Sequence, residues 1–81
     1  MNNNDKVKTL KETTTIDERI NRYVELWEMS LTFMDDDGNT VSGNEELYDN
    51  IKAEMDIYWN SIDQEYMHIV RRKIRAIENN M

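Results

Sequence analysis

The residues of this chain that could do chemistry are mostly carboxylates, and they fall into two patterns. In the first, Asp35, Asp37 and Asn39 alternate along a Gly-containing stretch that closes on Glu46. That supplies side-chain oxygens in the kind of loop that can wrap a hard cation such as calcium. In the second, Glu25 with Glu28 and Glu46 with Asp49 form pairs three residues apart, the spacing that puts two side chains on one side of a helix. Two such pairs facing each other could hold magnesium, which binds few protein oxygens and keeps its waters. A third constellation is cationic. His68, Arg72 and Arg75 recur at helical spacing with Arg71 beside them, and their planar guanidinium groups suit a phosphate or an acidic partner.

Nothing else in the chain looks catalytic. Cysteine is absent, which excludes thiolate nucleophiles and thiolate metal sites. His68 is the single histidine, and Ser30, Ser42 and Ser61 have no surrounding pattern of an activated nucleophile. No catalytic residue is therefore assigned.

Two of these patterns resemble known families. The stretch from Asp35 to Glu46 resembles an EF-hand loop, with Asp35, Asp37, Asn39, Val41 and Glu46 at ligand positions. It departs from that pattern at Thr40, which stands where the loop turns on Gly, and at Ser42, which replaces an aliphatic. The resemblance implies calcium on Asp35, Asp37, Asn39 and Glu46. Separately, Glu25-Leu-Trp-Glu28 and Glu46-Leu-Tyr-Asp49 resemble the E-x-x-E and E-x-x-D elements of the all-α, MazG-type nucleotide pyrophosphohydrolases. That resemblance implies a magnesium enzyme with Glu25, Glu28, Glu46 and Asp49 as metal ligands. A further Glu of that family is Val24 here.

Composition narrows the class. With 81 residues there is room for one domain, which buries only about 60% of its unfolded surface, so assembly would help it. No apolar run reaches the roughly 20 residues of a membrane span, and the polar start lacks the apolar core of a secretory signal. A cytoplasmic location is the expectation. Six Met, ten Asn and eight Ile against no Pro and two Gly go with AT-rich coding, as in many small bacteriophage genes.

The net charge of −7 is unevenly distributed. Residues 15–67 hold fourteen of the seventeen acids against three basic residues, whereas 68–81 hold four Arg/Lys against Glu78 alone. Such a body repels phosphate backbones and suits a basic protein surface, so nucleic acid is not expected as a partner.

The elements that must position these groups can be read from spacing. Residues 1–14 are polar and aperiodic, which predicts a flexible arm. Thr15-Ile-Asp-Glu18 spells a capping box, and Ile16, Ile20, Tyr23, Trp27, Leu31 and Met34 follow as one helical stripe, with Leu26, Met29 and Phe33 beside it. A second helix is expected from Ser42 or Asn44 to about Asn79. Neither Gly nor Pro interrupts it there.

Such a helix would run roughly 54 Å against about 28 Å for the first, too long to be covered by it. One of its stripes, Leu47, Ile51, Met55, Tyr58, Ile62 and Ile69, fits the first helix. The other, Trp59, Tyr66, Val70, Ile74, Ile77 and Met81, is turned away and needs another surface. A break at Asn60-Ser61 followed by a third helix is the alternative, with Ser61 and Gln64 as a further capping box.

The expectation is an all-α protein: residues 15–81 form a single helical hairpin with a long second helix, dimerising into a helical bundle. Trp59, Tyr66, Val70, Ile74 and Ile77 would form the partner contact, and Ile57 and Met67, off both stripes, would be exposed for another. Functionally it reads as a small acidic protein–protein interaction module, a homodimer encoded by a phage and modulating a host protein with a basic surface. No cofactor is expected. The magnesium pyrophosphohydrolase and the EF-hand-like calcium binder are the alternatives.

Overall fold

The computed structural model describes residues 3–33, 43 and 45–80. The described residues are all-helical, with helices α1 (Asn3–Thr13), α2 (Ile16–Leu31), α3 (Glu45–Ser61) and α4 (Met67–Asn79), and a 3₁₀ turn at Gln64–Tyr66 before α4. None of these helices is long and apolar enough to cross a membrane.

α2 starts as its sequence predicts. The Thr15 hydroxyl accepts the Glu18 amide at 3.2 Å, and the Glu18 carboxylate accepts the Thr15 amide at 3.2 Å. Thr15 itself is extended, at φ −84 and ψ 164, which separates α2 from α1. Ahead of α3, Gly43 takes φ +93, a conformation open to glycine and strained for other residues, and its amide donates to the Glu45 carboxylate at 3.0 Å.

Two expectations need correction. Residues 3–13 form a helix rather than a flexible arm. That helix lies on α3 with Val7 and Leu10 half-buried, and Lys11 pairs with Asp63 at 3.6 Å. Two apolar residues one turn apart are too few to register as a periodic stripe, but they suffice where a neighbouring helix is available. The long second helix is also broken. It ends at Ser61, and α4 folds back to pack on α2, so the chain is not a two-helix hairpin.

Local bonds account for the break. The Ser61 hydroxyl donates to the Tyr58 carbonyl at 2.6 Å, and the Arg19 guanidinium donates to the Ser61 carbonyl at 2.9 Å. In a continuous helix that carbonyl would accept the amide four residues on. Asp63, extended at ψ 148, then starts the 3₁₀ turn without capping it through its side chain, and the Ser61 hydroxyl is spent on the Tyr58 carbonyl rather than on the expected box with Gln64.

α2 is the central element, with α3 and α4 packed on different parts of it and α1 outside α3. The apolar interior has two clusters. Leu26, Ile51 and Met55 join α2 to α3, whereas Ile20, Ile62 and Val70 join α2 to α4 and the turn after α3. Tyr23 packs against both.

Candidate functional site

α4 is strongly two-sided, and its polar side makes the candidate site. Val70 is 1% exposed, and Met67, Ile69 and Ile74 pack against the same cluster. Opposite them His68, Arg71, Arg72 and Arg75 are all exposed, at helical spacing along one face. Because α4 folds back beside the end of α3, this face meets Trp59. The result is an open concavity of about 420 Å³ lined by Trp59, Gln64, Met67, His68 and Arg71. A second one of about 240 Å³, lined by His68, Arg71, Arg72 and Arg75, shares two residues with it.

Trp59 gives the first concavity an aromatic wall that is held in place. Its ring lies 5.3 Å from that of Tyr23 at a 45° tilt, and it is still 38% exposed. The Tyr23 hydroxyl is pushed above its ordinary 10.0, first by burial and then by the negative charge of Asp56. Tyr23 is thus neutral at physiological pH and serves as packing. A flat aromatic face beside the Arg71 guanidinium, with Arg72 and Arg75 further along the same helix face, can hold an apolar or aromatic group next to a carboxylate or phosphate.

The sequence-selected partner residues have divided fates. Trp59 is exposed as expected. Val70 is buried inside the chain, and Tyr66 and Ile74 lean on its cluster, so the surplus stripe is covered largely from within by α2. Ile77 is half-buried. Ile57 and Met67, expected to be exposed, are each half-buried, Met67 because the fold-back turns it towards the core while it also lines the concavity. His68, Arg71, Arg72 and Arg75 are brought together as their spacing indicated.

The carboxylates of the described residues are not brought together. Among the described residues no three His, Cys, Asp or Glu side chains converge as a metal would require. Glu25, Glu28, Glu46 and Asp49 are each exposed, and Glu25 is engaged by Arg22 at 2.7 Å. The other Arg22 nitrogen reaches Glu54 at 3.5 Å, which ties α2 to α3. Of the calcium-loop residues, Asp35, Asp37 and Asn39 lie outside the described residues.

Arg19 and Gln64 were not selected from sequence. Gln64 enters the concavity only because the chain turns there. Arg19 is 9% exposed and donates to two backbone carbonyls, of Thr15 and Ser61, a role that leaves no trace in residue spacing. The chain matches no protein-family model, no curated protein and no solved structure.

Proposed function

We propose that this chain is a small, non-enzymatic protein–protein interaction module that holds an acidic segment of its partner on the α4 face. One observation carries the reading: on a chain of net charge −7, the fold-back sets His68 and Arg71 of α4 beside an exposed Trp59, and Arg72 and Arg75 continue the same cationic face. Tryptophan and arginine supply a large share of binding energy at protein interfaces. The overall negative charge disfavours long polyanions such as nucleic acid, while a short acidic segment feels mainly the local cations.

A module of this kind fits a phage-encoded modulator that occupies a host protein in the cytoplasm. The exposed carboxylates of α3, Glu45, Glu46, Asp49 and Asp56, support a second contact to a basic protein surface. Exposed Met29, Leu47 and Trp59 leave room for self-association as well.

A Trp27→Phe protein leaves Trp59 as the only tryptophan. Its fluorescence should change saturably with a Phe-containing Glu/Asp-rich peptide, weaken with added salt, and lose the response on Arg71→Glu. An equal response to a Lys-rich peptide of the same length, or no response to the acidic one, would refute the acidic-segment reading. Binding of the Lys-rich peptide alone, lost on Glu46→Lys, would favour the α3 surface instead.

A further inference from the structure

The junction between α3 and α4 is closed by a few bonds, yet its backbone and sequence also permit one uninterrupted helix. From Glu45 to Asn80 there is neither Gly nor Pro. Asp63 has φ −66, already that of a helix, and departs from it in ψ, at 148. Tyr66 and Met67 lie in the right-handed helical region, at φ −100, ψ −1 and φ −63, ψ −30. The apolar register Leu47, Ile51, Met55, Tyr58, Ile62, Ile69 continues through the break without a slip.

Straightening would carry α4 off its own α2. It would bare Ile20 on one element and Val70 on the other, each 1% exposed in the closed chain. A second copy offers the same two faces. Each α4 can then close on the partner's α2 and rebuild the Ile20–Ile62–Val70 cluster between chains. We propose that Ser61–Tyr66 is such a hinge, and that the chain forms a two-fold dimer by exchanging α4 between two copies.

Arg19 is the group that opposes the exchange. Its guanidinium holds the Ser61 carbonyl at 2.9 Å, the acceptor that the Glu65 amide would take in a continuous helix. The Lys11–Asp63 pair, at 3.6 Å, also holds the closed form. Opening would take apart the Trp59–Arg71 concavity, whose walls lie on either side of the hinge. The inference does not depend on any ligand of that concavity.

The test uses the full chain, refolded from urea at high and at low concentration and sized by light scattering. Asp63→Ala, which favours helix at both hinges of the dimer, should raise the dimerisation constant by up to about tenfold over the parent chain. Arg19→Met, which removes the competing cap, should act in the same direction and serves if the first variant fails to fold. Gln64→Pro should stay monomeric where the others dimerise, because a proline holds the preceding residue extended, as Asp63 already is.

In dimers made from mixed isotope-labelled and unlabelled chains, NMR contacts around Ile20 and Val70 should run between chains. The proposal is overturned if the parent, Asp63→Ala and Arg19→Met all give no dimer. It is equally overturned if those contacts remain within one chain, or if Gln64→Pro dimerises as readily as the parent.

Discussion

The two ends of α2 are buried by different means. At its C-terminal half, Leu26 meets Ile51 and Met55 of α3, two helices whose matching stripes are enough to bring them together. At its N-terminal half, Ile20 meets Ile62 and Val70 across a chain reversal held by a buried Arg19 and a buried Ser61. The first contact is written in apolar periodicity. The second depends on polar groups that redirect the backbone, and without them the same periodicity would describe a single long helix. Among the described residues every buried side-chain nitrogen or oxygen finds a partner, so the polar half is as well satisfied as the apolar one.

The largest test of this contrast deletes one apolar anchor from each half. Ile20→Ala and Leu26→Ala should each lower the unfolding free energy by about 2–5 kcal/mol in urea denaturation followed by circular dichroism. Both are expected to act in one shared transition, because Tyr23 packs against both clusters. Two separated transitions would show that the halves fold independently.

Next in size is the cap. Under dilute conditions that keep the chain monomeric, Arg19→Met should cost about 1–3 kcal/mol, the penalty for leaving a buried carbonyl unpaired. Arg19→Lys should recover only part of it, since a single ammonium replaces a guanidinium that donates to two separate carbonyls. Full recovery by Lys would mean that charge rather than geometry closes the reversal.

The residue that joins the halves should make stability depend on alkaline pH. The folded state raises the Tyr23 pKa, so it holds the phenolic proton more tightly than the unfolded chain does. The corresponding stability is complete below the ordinary value of 10.0 and is lost as pH rises through the higher folded value. Thermal melts of the parent and Tyr23→Phe should run parallel at neutral pH and diverge above about pH 10. A parent that keeps pace with the Phe variant there would remove Tyr23 as a buried link.

These differences explain what could be read from the residues alone. The all-helical class, the Thr15–Glu18 box and the α2–α3 contact followed from cap chemistry and a 3.6-residue period, both local signals. The cationic grouping of His68, Arg71, Arg72 and Arg75 was legible for the same reason, since it lies on one helix. The concavity was not, because Trp59 and Arg71 become neighbours only after the chain reverses. The reversal rests on a contact between Arg19 and Ser61, 42 positions apart. Periodicity also explains the reading of Val70: its stripe is apolar as read, but in the closed chain α2 of the same molecule already covers it.

The smallest effect concerns α1, where Lys6, Lys8 and Lys11 lie on a helix packed against the acidic α3. Lys11 and Asp63 approach to 3.6 Å with both side chains about half exposed or more. An ion pair in that setting contributes about 0–1 kcal/mol, so Lys11→Ala should shift the urea midpoint only slightly, and less still in added salt. Val7 and Leu10 are the groups that should matter more for α1. If Lys11→Ala instead released α1, as read by faster amide exchange across residues 3–13 while α2 and α3 stayed protected, then charge rather than apolar contact would be what docks this helix. α1 would then belong with the polar means of closure seen at Arg19, and the contrast between the halves would extend to the whole chain.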